Sequence, residues 1–348
     1  MNADTAHPAG PSRAGDVGRT RPGTVVTFGE AMVRLAAPDH QRLEQVTSLE
    51  VTVGGAELNV AAGVSRLGLG ARWVSRLPDS PLGRMIRNSA REFGVDVSFV
   101  SWDPDARAGL YFLEPGASPR ASAVLYDRAG SAFSKLIPEE IDWTAALAGA
   151  SVFHTTGITP ALSDAAAEAV RDAFAAARAA GIPVTYDLNY RAKLWSEERA
   201  RAVQEPLMAD VDVLITTEED TRRVFGITGS DYGEVARKLV DRFGFKVVTI
   251  TLRGDISVLR NTWTAIAHAD GVDYDDRTYD IEIVDRVGGG DAYAAGFLYG
   301  WLTGDVAAGV RYGDAVSALQ QTLPGDLAWV TIDEAQAQLS GAGLRIAR

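Results

Sequence analysis

Gly288-Gly289-Gly290-Asp291 is the stretch of this sequence whose residue types and spacing most directly suggest chemistry. It follows Tyr279 to Val284, which reads as a short strand, and precedes the small and apolar run Ala292 to Leu302, which reads as a buried helix. Glycine lets the backbone turn sharply and bring its N–H groups to a ligand without Cβ obstruction. A helix N-terminus adds free N–H groups and partial positive charge, so phosphate is accommodated there. Asp291 stands where a hydroxyl attacking that phosphate would lose its proton, which makes it a candidate general base. The plainer reading is a tight turn with Asp291 as N-cap, and the element alone leaves both open.

Other residues have types suited to small polar ligands. Gly54 and Gly55 precede a helix carrying Asn59. Such glycines permit close backbone approach, and an asparagine amide both donates to and accepts from hydroxyls; a glycine turn with a polar helix face is the alternative. Arg191, in Asp187-Leu188-Asn189-Tyr190-Arg191 after a core strand, offers a rigid fork for carboxylate or phosphate, unless it is simply a surface residue. Tyr111, Tyr126 and Arg128 lie on two strands of mixed character. They either face a ligand or pack across the strands. Glu218-Glu219-Asp220 has a sufficient helix-dipole explanation as an acidic first turn.

Composition excludes several classes. At 348 residues the chain can bury a sizeable core. A net charge of −12 argues against nucleic acid and anionic membranes as partners. There is no cysteine, so disulfides, thiol nucleophiles and thiolate metal sites are out. His7, His40, His154 and His268 are too scattered for a zinc site. No apolar run reaches membrane-spanning length and no secretory segment is visible, so a cytoplasmic location is expected. Residues 1–23 read as a disordered extension. The Gly-x4-Gly-Lys-Ser/Thr phosphate loop is missing, and Trp73 stands where Gly68-x-Gly70 would need a third glycine for a dinucleotide fingerprint. A phosphate site therefore falls to Gly288–Asp291.

The elements that must position these residues alternate strand and helix. Thr24–Phe28, Trp73–Leu77, Val152–Thr155, Pro183–Asp187, Val211–Ile215 and Lys246–Leu252 read as core strands with helices between them. That pattern argues for a mainly parallel sheet with helices on both faces, ligands sitting at the carboxyl ends of the strands. Strand-like segments near 31–53 and 106–130 interrupt the pattern and read as a small β lid. Exposed lid strands are free to pair between subunits as a homo-oligomer.

Asp285-Arg286-Val287-Gly288-Gly289-Gly290-Asp291 resembles the Asp-Thr-x-Gly-Ala-Gly-Asp signature of the ribokinase-like sugar kinases, with Arg286 for Thr and Gly289 for Ala. Gly54–Ala61, Tyr126–Ala132, Gly157–Ser163 and Asp187–Trp195 draw the resemblance towards 2-keto-3-deoxygluconate kinases, over residues from about 24 to 335. The resemblance implies a ribokinase-like α/β kinase domain over 24–345 with ATP and Mg²⁺ as cofactors and a sugar acid as small-molecule partner. It implies Asp291 as base, with the amides of Gly288, Gly289 and Gly290 as anion hole. Gly54, Gly55, Asn59, Tyr111, Tyr126, Arg128, Arg191 and Asp326 would meet the sugar. Asn189, Arg191, Arg253 and Gly254, the last two in a nucleotide-contacting turn, would meet ATP together with Gly288 and Gly290. Asp220 would influence the metal through water, although Thr217 and Asp220 replace the family's Asn and Glu. The expected reaction is phosphorylation of the terminal hydroxyl of 2-keto-3-deoxygluconate. Two arginines in one pocket favour an acid, since an unpaired buried arginine is costly. A fructokinase or another sugar kinase of the same fold is the near alternative. A non-catalytic sugar-binding protein is the distant one, though a binder needs no base beside an anion hole.

Overall fold

The computed structural model describes residues 23–341, so the extension expected at 1–23 lies almost wholly outside the described residues, as do 342–345. The chain opens with β1 (Thr24–Phe28), β2 (Met32–Ala36) and β3 (Glu50–Gly54), then α1 (Ala56–Arg66), β4 (Gly70–Pro78), α2 (Pro81–Glu92) and β5 (Val100–Asp103). It continues through β6 (Gly109–Glu114), β7 (Ala123–Asp127), α3 (Trp143–Leu147), β8 (Val152–Thr156), α4 (Asp164–Ala179) and β9 (Val184–Asp187). Next come α5 (Glu197–Leu207), β10 (Val213–Thr216), α6 (Glu218–Phe225), α7 (Tyr232–Phe243) and β11 (Val247–Ser257). The last elements are β12 (Arg260–Ala269), β13 (Val272–Asp275), β14 (Tyr279–Glu282), α8 (Gly289–Thr303), α9 (Val306–Gln320) and α10 (Ile332–Leu339). Local chemistry explains the helix starts. Ser80 accepts from the Gly83 N–H with Pro81 in the first turn, and Ser163, Thr217 and Asp231 cap α4, α6 and α7 in the same way.

The large sheet runs β13-β12-β11-β10-β9-β8-β1-β4-β5, with β14 also on β12. From β11 to β5 every neighbouring pair is parallel. Alternate residues point to opposite faces. Val25, Val152 and Val213 join the core under α1, α8 and α9, while Val26, Phe153 and Leu214 join the core under α4, α5 and α7. The chain leaves β1 for β4 and β5 on one side and returns to β8 on the other, so β1 and β8 flank the switch point where such sheets hold ligands.

A separate four-stranded sheet has the order β3-β2-β6-β7, formed by the segments expected as a lid. The expected turn at Thr251–Gly254 is not one. β11 continues unbroken through these residues as an antiparallel hairpin with β12, pairing Arg253 with Trp263 and Gly254 with Thr262.

Helices α8 and α9 meet backbone to backbone. A Cβ on Gly296 would collide with the Tyr312 carbonyl, one on Gly300 with that of Ala308, and one on Gly313 with the Tyr293 ring at 2.6 Å. The small residues of the sequence stretch after Asp291 thus form an interhelical seam, closed by Tyr293 and Phe297 stacked at 6.1 Å.

Candidate active site

Helix α8 starts at Gly289, and its N-cap is Gly288 in the left-handed region at φ 82°. Glycine is required there twice over, by that angle and because a Cβ would overlap the main-chain carbonyl of Asp326. Asp291 is therefore the third residue of the helix and not its cap. The three glycine amides are not equivalent. Gly289 donates to the Arg286 carbonyl at 3.4 Å, and its own carbonyl accepts from Ser317 Oγ at 2.8 Å. Among the described residues, no acceptor takes the N–H of Gly288, Gly290 or Asp291, and Gly290 faces open space. Of the three glycine amides expected to form an anion hole, those of Gly288 and Gly290 are left without an acceptor, together with that of Asp291.

The starts of α1 and α8 meet at Asp291. Asn59 Nδ2 donates to Asp291 Oδ2 at 2.6 Å, while Asn59 Oδ1 accepts from the Gly55 N–H at 3.2 Å. Burial pushes the Asp291 carboxyl up to about 7; the Asn59 hydrogen bond works against the rise, the charge of Asp326 adds to it, and Arg191 opposes it. Asp187 is also raised well above the carboxylate range, by burial and then by the charges of Asp291 and Asp220. Asp220 rises to about 6 through burial, with Arg191 opposing. Asp291 and Asp220 are therefore raised towards neutrality, as acid–base work at pH 7 requires.

The small sheet supplies the opposite wall. Tyr111 Oη donates to Asp326 Oδ2 at 2.5 Å, and a Cβ on Gly54 would run into both groups. Tyr111 and Tyr126 lie 5.9 Å apart and pack across β6 and β7. Tyr126, Arg128, Tyr190, Arg191, Lys193 and Asp220 line one cavity of about 390 Å³. The Arg128 guanidinium sits 5.7 Å from the Tyr126 ring and Lys193 Nζ 6.0 Å from it. Arg128 is not an unpaired cation: Glu30, buried at the end of β1, accepts from its Nε at 2.8 Å and from a terminal nitrogen. Of the two arginines expected to await an acid, Arg128 is thus already compensated, while Arg191 is exposed and in no ion-pair contact among the described residues.

Asn189 takes a left-handed φ of 37° and spends its side-chain amide on Asp187 Oδ2 at 3.3 Å, so it braces the loop before Arg191. Arg253 and Gly254 lie apart from this cluster, exposed on β11; Arg253 pairs with Asp255 at 3.2 Å, and Asp255 reaches Arg286 at 3.3 Å. That chain leads from the hairpin to the glycine element. Among the described residues no three carboxylates or histidines are spaced to cage a metal. Asp220 is partly open and fits the looser demand of magnesium, which keeps waters and takes phosphate oxygens.

Four contributors escaped the sequence reading. Arg34, Glu30 and Lys193 are charges within or beside strand and loop patterns that read equally well as solvent-facing. Glu57 accepts from Thr156 and Thr159 at the switch point, at 2.8 and 2.7 Å. Only its place beside Gly54-Gly55 hinted at a role.

This arrangement can take a proton from a hydroxyl held between the small sheet and a helix N-terminus, which is what a sugar kinase does. The chain belongs to the pfkB family of carbohydrate kinases, whose model matches residues 23–329. It is 42% identical over 325 residues to the 2-dehydro-3-deoxygalactonokinase of Haloferax volcanii, covering 93% of this chain and 99% of that protein. The crystal structure of 2-dehydro-3-deoxygluconokinase from Thermotoga maritima superposes with a TM-score of 0.90 at 43% identity, covering 92% of this chain and 98% of that one. At the level of fold alone, a putative ribokinase II from E. coli in complex with ATP and Mg²⁺ matches with a TM-score of 0.80 at 20% identity, over 92% of this chain and 100% of that one. The ribokinase-like α/β fold expected from the sequence is thus established, and the chain is a sugar kinase.

Proposed function

We propose that this kinase transfers the γ-phosphoryl group of ATP to the terminal hydroxyl of a 2-keto-3-deoxy sugar acid, 2-keto-3-deoxygluconate or its galactonate epimer, with Asp291 as general base. The hydroxyl oxygen bonds to the γ-phosphorus as its proton passes to Asp291, and the bond to the leaving ADP oxygen breaks. The amides of Gly288, Gly290 and Asp291 and the N-terminus of α8 stabilise charge on the transferring group; positioning and electrostatics are most of such catalysis. Asp220 would help hold the magnesium that comes with ATP, through water, and that ion would supply countercharge to the phosphates. Gly54, Gly55, Asn59 and Tyr126 meet the hydroxyls of the sugar. Arg253 and Gly254 stand on the nucleotide side.

The observation that carries the choice of an acid is Arg191, a guanidinium without ion-pair contact that opens into the same cavity as Lys193 and Arg128. A carboxylate supplies its countercharge and a bidentate partner, with charged hydrogen bonds worth roughly 1.5–3 kcal/mol each. The names of the relatives support the same substrate class. The expected result of a substrate panel is a kcat/KM for one of the two keto-deoxy acids at least about tenfold above fructose and ribose, near 1.4 kcal/mol in transition-state free energy. Arg191→Leu is expected to erase most of that preference while leaving slow phosphorylation of neutral sugars. A wild-type preference for fructose would favour the second reading, a ketose kinase, in which the neutralised Glu30–Arg128 pair reads hydroxyls.

Tyr126 tests the small sheet. The ring is 41% exposed, yet it stands beside Arg128 and lines the cavity. Tyr126→Ala is expected to raise KM for the sugar well above any change in KM for ATP, as loss of one ligand's binding contact should. Equal effects on both substrates would return Tyr126 to cross-strand packing alone.

A further inference from the structure

Arg34 lies on β2, between Val33 and Leu35, with a side chain only 5% exposed. A buried guanidinium is costly unless its donors are used. Burial works against its charge, but Asp326 and then Asp285 outweigh it and hold the group more firmly protonated than a free arginine. Nη1 donates to Asp326 Oδ1 at 2.5 Å, and Nη2 donates to Asp285 Oδ2.

Each carboxylate has a second task. Asp285 Oδ1 accepts from the Val287 N–H at 3.1 Å, one residue before Gly288, and its Oδ2 accepts from the Gly325 N–H at 3.2 Å. Asp326 accepts from Tyr111 of the small sheet, packs against Gly54, and lays its main-chain carbonyl against Gly288. One fork thus joins the residue that opens the phosphate turn to the carboxylate that backs the sugar wall.

We propose that Arg34 is a positioning residue for phosphoryl transfer, fixing the Asp285–Gly290 turn in register with the sugar pocket while touching neither substrate. The inference rests on the glycine turn and Asp291 forming the transfer site. The fork geometry carries the function, because a lysine ammonium is a point charge that cannot present two parallel arms to separate carboxylates.

The test is steady-state kinetics of Arg34→Lys and Arg34→Met with whichever sugar the wild type uses best, so an error in the substrate assignment leaves it intact. Misplacement by about 1 Å can cost on the order of 10²-fold in rate. Arg34→Met is expected to lose kcat by about that factor, with KM for ATP and sugar within about threefold of wild type. Arg34→Lys is expected to recover the melting temperature but stay about tenfold or more below wild-type kcat. Wild-type kcat in Arg34→Lys would overturn the proposal, since charge compensation would then suffice. So would a rise in sugar KM larger than the fall in kcat, which would make Arg34 part of the binding wall. If Arg34→Met does not fold, Asp285→Asn breaks the same bridge from its other end. The same loss of kcat at unchanged KM supports the proposal there, and unchanged kcat overturns it. An active Asp291→Asn enzyme would instead refute the assignment of the transfer site, so the two failures are separable.

Discussion

Asp291→Asn is expected to bind sugar and ATP nearly as the parent does and to turn over about 10²–10⁴ times more slowly. The substitution keeps the side-chain shape, the third position of α8 and a partner for Asn59, whose Nδ2 lies 2.6 Å from the carboxylate. What it removes is the proton acceptor. The pH profile supplies a second check. Burial raises the Asp291 carboxyl to about 7, and a general base works only when ionised. The wild-type kcat/KM should therefore fall as pH drops below about 7, since this ratio reports ionisation in the free enzyme. The linkage to stability has the opposite sense. Between the unfolded carboxylate value of about 4 and the folded value, the unfolded chain ionises while the native site does not, so stability is lost across that window as pH rises. Asp291→Asn should consequently melt higher than wild type at pH 7.5 and show little difference at pH 4. An asparagine variant with near-normal turnover would remove Asp291 from the role of base.

Gly288→Ala is expected to lower both turnover and stability. An L-residue at φ 82° is strained, on the order of 1–3 kcal/mol, and the added Cβ has to displace the Asp326 carbonyl. Displacing Asp326 disturbs Tyr111 and Arg34 together, because both bond to its carboxylate at 2.5 Å. Loss of one donor from an anion hole costs about 10²–10³ in kcat, so a fall of at least that size is expected along with a lower melting temperature. Gly290→Ala is the informative comparison. Its Cβ enters open space on the exposed side of the turn, so stability should hold while the methyl obstructs phosphate and activity falls. Thermal melts and kcat measured side by side separate the two effects. Equal melting temperatures for the two variants would mean that the turn can relax, contrary to the packing around Gly288.

The alternation of core strands and helices was legible because the strands are short apolar runs and the helices other than α1 and α8 have a side-chain cap that names their start, such as Ser163 or Asp231. The glycine element was legible for the same local reason. What sequence could not reveal is how charges pair across the chain. Arg34 reads as one polar residue in Met-Val-Arg-Leu-Ala, and only the distant Asp285 and Asp326 make it a buried hub. Arg128 reads as a free cation until Glu30 comes beside it. The hairpin of β11 and β12 was missed because Arg253-Gly254-Asp255 has turn-like composition, whereas the ladder to Asn261–Trp263 keeps it extended. In the sequence the helix start reads at Asp291, three residues after the Gly288 cap, because nothing local says that Gly288 adopts the left-handed conformation that starts the helix.

The seam between α8 and α9 fixes where the head of α8 can stand. With Gly296 and Gly300 set against main-chain carbonyls of α9, and Gly313 against the Tyr293 ring, α8 cannot slide or roll without backbone collision. The aspartate at its head is therefore stationary against the body of the enzyme, like the anvil of a press. The sheet of β3, β2, β6 and β7 forms the facing wall, seated on the same core through Val33 and Val53 and tied to the turn by Arg34. Adapting such an enzyme to a different sugar is then a matter of reshaping the wall that the small sheet presents, with the fixed helix left alone.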